Sequence, residues 1–174
     1  MGQYAGLYAL VTLAALLAVL GMRSFNEEGE FTPGLSSRIG PPAVVRAENG
    51  ETELLIKNSL GGSFLTKATF DGAQAEVLVD TGASYTTLRE SDALRAGINP
   101  RSNEYRHRFS TANGEVFAAR AQVSDLGLGP AYLTNVTVFV LPDDKLEISL
   151  LGMNVLRRFD RMEMTAEGLR LSVQ

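Results

Sequence analysis

Cysteine is absent from the 174-residue chain, so disulfides, thiolate zinc sites and cysteine nucleophiles are excluded. Histidine occurs once, as His107, between Arg106 and Arg108. A histidine-based triad or a multi-histidine metal site is therefore hard to build, and His107 reads as an exposed surface group. A basic excess is missing too: 16 Lys+Arg stand against 20 Asp+Glu, a formal net charge of −4. Nucleic acid is not an expected partner of such a chain. No internal repeat occurs and no glycine-rich phosphate loop has the required spacing. Neither a metal nor a cofactor is expected.

Charge is also missing from one long stretch. Met1 to Met22, MGQYAGLYALVTLAALLAVLGM, carries no ionised side chain. As a helix it would span roughly 33 Å, enough for a hydrocarbon core of about 30 Å, and Tyr4 and Tyr8 suit a membrane interface. A cleaved secretory signal is the alternative, but the basic start is absent and no clear A-x-A site follows. Residues 1–22 are therefore expected to be a retained transmembrane anchor. Arg23, Arg38 and Arg46 follow the segment and, by the positive-inside rule, point weakly to a cytoplasmic domain. Residues 23–50 mix Pro, Gly, Ser and charge without apolar periodicity, the composition of a flexible linker. The folded domain is expected over 51–174.

From Glu51 onward the pattern is that of strands. ETELLIK reads as a first strand. SFLTKATF and AQAEVLVD flank Asp71-Gly72, a dipeptide that tolerates the positive φ of a tight hairpin turn. ESDALRAG reads as a short helix ended by Gly97. Residues 106–112 and 115–123 flank Asn113-Gly114 as a second hairpin, and QVSDLGLG with LTNVTVFV forms a third around Gly129-Pro130. ISLLG is a short apolar strand, MNVLRRF a short helix, and FDRMEM with LRLSV a closing hairpin. The expectation is an all-β domain of roughly 120 residues with one or two small helices, closed into a barrel.

Within it, VLVDTGAS (residues 77–84) delivers one acid, Asp80, at the end of an apolar run. Thr81 and Gly82 turn the chain, and Ala83 and Ser84 are small enough to let it fold back, with a hydroxyl able to hydrogen-bond a carboxylate. Ser149-Leu150-Leu151-Gly152 lies further along, an apolar pair ending in a glycine where another backbone must pass close by. A lone Asp-Thr-Gly is weak and more often marks only a strand end; its combination with these neighbours is more telling.

From about Gly61 to Phe159 the chain resembles the retropepsin-like aspartic proteases, most closely the bacterial membrane-anchored members that carry DTGAS, TANG and LLGM in this order. The resemblance implies that Val77–Ser84 and Leu150–Gly152 form a ψ-shaped loop under the catalytic acid, Asp80. Thr81 would brace two such loops across a dimer axis, Gly82 would keep the backbone close to substrate, Ala83 would support the loop, and Ser84 would orient Asp80 by a hydrogen bond. Ser110, Thr111, Ala112, Asn113 and Gly114 match the substrate-covering flap. Which of Ser110, Thr111 and Phe117 would lie over the scissile bond stays open, as do the dimer strands, for which LRLSVQ and ETELLIK are candidates. The resemblance also implies an inner-membrane protein with its protease domain on the periplasmic side, against the hint from the arginines.

Peptide hydrolysis of this kind needs two carboxyls close together, one ionised to take a proton from water and one protonated to donate to the scissile carbonyl. Like charges at such range cannot both ionise cheaply, so the pair shares a proton. The chain has one Asp-Thr-Gly: Asp71, Asp125 and Asp160 each lack the Thr-Gly that follows Asp80. The second carboxyl is expected from a second copy, making the enzyme a symmetric homodimer acting on protein or peptide substrates. A membrane-tethered module that only binds extended peptides, or only dimerises, is the alternative on the same fold.

Overall fold

The computed structural model describes residues 39–47, 50–59, 62–111 and 114–172. The anchor assigned to residues 1–22 lies outside these, as does most of the linker. Among the described residues no helix is long and apolar enough to cross a membrane.

Eleven strands are described, in two sheets. The first has the order β1-β2-β11-β10: β1 Ala43–Arg46, β2 Thr52–Lys57, β10 Arg161–Met164 and β11 Gly168–Ser172, all antiparallel. β1 corrects the linker boundary. Ala43–Arg46 falls inside the span read as flexible, yet it pairs with Thr52–Leu55. Alternation is hard to see in AVVR because β1 is an edge strand with one exposed face, and pairing rather than burial holds it.

The second sheet runs β3-β4-β9-β5-β8-β7-β6, from β3 Leu65–Phe70, β4 Ala73–Val79, β5 Thr87–Arg89, β6 Tyr105–Thr111, β7 Gly114–Leu128, β8 Ala131–Leu141 and β9 Ser149–Leu151. β3 pairs again with β7 at Thr69–Gly127 and Phe70–Leu126, so the hydrogen-bonded neighbours return to their start. The Asp71-Gly72 turn joins β3 to β4 with φ of 46° and 86°, the left-handed pair that a two-residue hairpin needs. The second and third expected hairpins share one strand, since β7 runs unbroken for 15 residues. Gly127 does not interrupt it. A Cβ there would stand 2.3 Å from Thr69 Oγ1, so this glycine marks the crossing of β3 over β7.

Among the described residues, α-helix is found at Glu90–Arg95 and Met153–Leu156, and a 3-10 turn at Ser102–Glu104. The main core gathers Leu54, Ile56, Phe70, Val77, Leu126, Leu151 and Leu169 from both sheets. A smaller cluster of Val116, Ala118, Phe139 and Leu141 sits under the β6–β7 hairpin.

Candidate active site

The apolar run VLV is buried and pairs in parallel with β9, Val77 opposite Ser149 and Val79 opposite Leu151. A strand buried on both faces reads as a continuous apolar run, not as alternation. β9 also pairs antiparallel with β5 at Thr87–Leu150, so it lies between β4 and β5. The chain between those strands, from Asp80 to Thr86, must therefore arch over the end of β9. Asp80 sits where the arch begins. Its N–H donates to Leu151 O at 3.0 Å.

The arch closes tightly. Gly82 N–H donates to Asp80 Oδ1 at 2.8 Å, and Ala83 N–H to Asp80 O at 3.2 Å. The carboxylate thus bridges its own turn, as Asp side chains do two residues ahead. Thr81, Gly82 and Ser84 are exposed, and Asp80 and Ala83 are half-buried. The hydrogen bond expected from Ser84 to Asp80 is not among those of the described residues; Ser84 instead accepts Asn154 N–H at its carbonyl, 3.1 Å away. Beside it, Ala83 O accepts Met153 N–H at 2.8 Å. The first amides of the Met153–Leu156 helix, which have no partner within a helix, are therefore satisfied by the arch.

A neutral polar network under the arch went unnoticed in the sequence. Asn154 Oδ1 accepts from Thr86 N–H at 2.7 Å and from Thr86 Oγ1–H at 3.1 Å. Thr86 Oγ1 in turn accepts from Gly152 N–H at 3.1 Å, and Asn154 Nδ2 donates to Thr137 O at 2.8 Å. Thr86 is fully buried. Gly152 passes so close that a Cβ would stand 2.4 Å from Tyr85 C and 2.5 Å from its O; its φ of −93° is ordinary, so closeness alone requires glycine. The other end of β9 is tied by Ser149, whose hydroxyl donates to buried Asp92 and accepts Arg89 N–H at 3.0 Å. The signal available in the sequence was polar residues inside apolar runs, Thr86 in YTTL and Asn154 in GMNVL.

Other acids are engaged elsewhere. Asp71 Oδ1 accepts Asp125 N–H at 2.9 Å, fastening the β3–β4 turn to β7. Glu53 pairs with Arg161 and Arg170, and Asp143 with Arg89. A depression lined by Pro42, Ala43, Lys57, Ser59 and Thr66 has, among the described residues, Lys57 as its one ionisable side chain and no acid–base pair. Among the expected flap residues, Ala112 and Asn113 lie outside the described residues, and only the backbone of Ser110 and Thr111 is described, pairing with Glu115 and Gly114. Phe117 pairs with Arg108, on the hairpin face opposite to His107 and Phe109.

A buried apolar strand ending in one acid, with a second apolar strand inserted beneath its turn, defines the aspartic-protease class in its one-motif form. Comparison with known proteins agrees. Residues 66–158 match the family described as "gag-polyprotein putative aspartyl protease". A retropepsin-like aspartic protease from Rickettsia conorii superposes with a TM-score of 0.61 at 33% identity, covering 69% of this chain and 89% of that one. Two uncharacterised proteins are also similar. One is from Sinorhizobium, encoded in the cobV 5′ region, 34% identical over 76% of this chain; the other is RP867 of Rickettsia prowazekii, 35% identical over 69%. The matches cover 57% and 51% of those proteins, so the chain spans a little over half their length. The chain belongs to the retropepsin-like aspartic protease family.

Proposed function

We propose that the protein is an aspartic endopeptidase whose active form is a homodimer, with Asp80 of each copy forming the catalytic dyad. The observation that carries this reading is the geometry of one acid: Asp80 stands half-buried at a fixed strand crossing, while its neighbours Thr81, Gly82 and Ser84 are exposed in the single chain. A two-fold axis through that surface would bring a second carboxyl beside the first. The ionised carboxyl would take a proton from water as it attacks the scissile carbonyl, and the protonated one would donate to the carbonyl oxygen. The β6–β7 hairpin would cover the bound peptide. Residues 1–22 would anchor the dimer in a bacterial inner membrane with the protease domain in the periplasm, raising local concentration in favour of pairing.

Asp80→Asn tests the acid. The amide is nearly isosteric but cannot take the proton, so cleavage by the purified protein should fall by at least about 100-fold, the lower end for loss of acid–base catalysis. Mixing wild-type and Asp80→Asn chains tests the dimer. Activity should fall as the square of the wild-type fraction, and a straight line would reject a shared dyad. Peptide binding without turnover in the wild type would favour the non-catalytic alternative. Recovery of the full chain in the soluble fraction without detergent would remove the anchor.

A further inference from the structure

β6 and β7 pair regularly from Thr111–Gly114 to His107–Ala118 and then shift register: Tyr105 stands opposite Ala119, leaving Arg106 as an extra residue. A bulge of this kind bends the strand that carries it. Its mark on the partner strand is that Ala118 and Ala119, neighbours that should point to opposite faces, are both fully buried. They are buried in different places. Ala118 belongs to the small cluster with Val116, Phe139 and Leu141, whereas Ala119 and Tyr105 pack in the main core. The hairpin beyond the bulge is therefore an arm with a core of its own. Phe139 links that core to the arch, by edge-on contacts with Phe109 at 4.8 Å and Tyr85 at 5.0 Å.

Two polar contacts hold the foot of this arm. Tyr105 Oη donates to Glu90 Oε1 at 2.9 Å, at the start of the helix Glu90–Arg95, and Arg106 Nε donates to Asn103 O at 2.6 Å. Burial first, and Glu90 second, push the Tyr105 hydroxyl up to about 12, so it keeps its proton and stays a donor. The same helix is tied to the strand inserted beneath Asp80: its Asp92 accepts the Ser149 hydroxyl of β9. Asp143, from the β8–β9 connection, accepts Ser91 N–H at 3.1 Å. A bulge can serve merely to twist a long strand pair, and β7 runs for 15 residues. Twist alone requires no side-chain bond at its base. Here the Tyr105 ring is seated against the main core, and its hydroxyl reaches a helix that also grips β9.

We propose that Glu90 and Tyr105 are positioning residues for the reaction at Asp80: their hydrogen bond fixes the foot of the β6–β7 arm to the helix that grips β9, and so sets where the arm lies over a bound peptide. This rests on the peptide-cleaving reading of the Asp80 site. Loss of the bond lets the arm pivot at Arg106 while the Tyr105 ring stays seated. A bound peptide is then held less tightly, and the chemistry at Asp80 is unchanged.

The test uses the purified full-length chain, with amide hydrogen exchange and peptide cleavage as its two measurements. Tyr105→Phe keeps the ring and removes only the hydroxyl. Exchange at residues 107–111 and 114–118 should speed up by about fivefold, the size of one lost hydrogen bond, with β4 and β9 as slow as in wild type. Glu90→Ala should do the same, and Glu90→Gln, whose carbonyl still accepts, should stay close to wild type. In cleavage, KM should rise about fivefold in Tyr105→Phe and Glu90→Ala with kcat within about twofold, and Glu90→Gln should restore it. Unchanged exchange in the arm would overturn the proposal, and so would faster exchange spread evenly over both sheets. An unchanged KM, or a fall in kcat alone, would also overturn it. If wild type cleaves nothing, the protease reading fails instead, and the exchange pattern alone decides whether Glu90 and Tyr105 hold the arm.

Discussion

The terminal sheet and the crossing beneath Asp80 each enclose a buried polar residue, and they satisfy it in opposite ways. In the terminal sheet Glu53, 1% exposed, is held by Arg161 at 2.6 Å, Arg170 at 3.2 Å and Ser172 Oγ at 3.2 Å. Under the arch Asn154, Thr86 and Thr137 exchange only neutral hydrogen bonds. Amides and hydroxyls fix the arch by hydrogen bonds alone, with no buried charge that needs an opposite one to match it. The terminal sheet, which contributes no residue to the arch, uses charges and is left dependent on pH. The structure thus separates a titratable clamp from a rigid, non-titrating seat.

The largest effect that would sharpen this contrast is expected from Gly152→Ala. The added methyl meets backbone of Tyr85 and Thr86 that is itself hydrogen-bonded, so neither side can yield. Destabilisation of roughly 3 kcal/mol is expected, and on the proposed reading of Asp80 peptide cleavage should fall with it because the arch shifts. A stability and activity close to wild type, from denaturant melts and peptide cleavage, would show that the crossing is not tightly set.

Asn154→Ala should follow, at about 2–3 kcal/mol, since three neutral bonds are lost and partly buried partners are stranded. This cost should be the same at neutral and acid pH. A strongly pH-dependent cost would break the contrast between the two regions.

Glu53→Gln probes the other side. The Arg161 bond foremost, helped by Arg170 and Ser172 against the cost of burial, holds the Glu53 carboxyl below its ordinary value of 4.5. A group depressed in this way contributes stability above its ordinary value, and that stability is lost as pH falls through the lowered folded value. Glu53→Gln should therefore lower the melting temperature by on the order of 5 °C at neutral pH, and the gap should narrow in acid. Paired melts between neutral pH and about pH 3 check this.

The smallest effect belongs to a turn remote from both. Asp71→Ala places a Cβ without a polar partner at a φ of 46° and frees the Asp125 amide. A loss of about 1 kcal/mol is expected, most of it restored in Asp71→Asn, whose amide also tolerates this conformation.

Much of this architecture was legible because its causes are local. The Asp71-Gly72 turn, the buried VLV run and the glycine after Leu150-Leu151 follow from φ preferences and apolar patterning over a few residues, and the count of one Asp-Thr-Gly motif needs no structure at all. What folding decided was the choice among distant partners. Ala43–Arg46 looked like linker because an edge strand is defined by the strand it joins. Glu53 stands at the polar start of ETELLIK, and its burial depends on arginines 108 and 117 positions away. Thr86 and Asn154, 68 positions apart, carry no local sign that one accepts hydrogen bonds from the other. Polar residues have many possible partners of similar strength, and only the insertion of β9 between β4 and β5 brings these together.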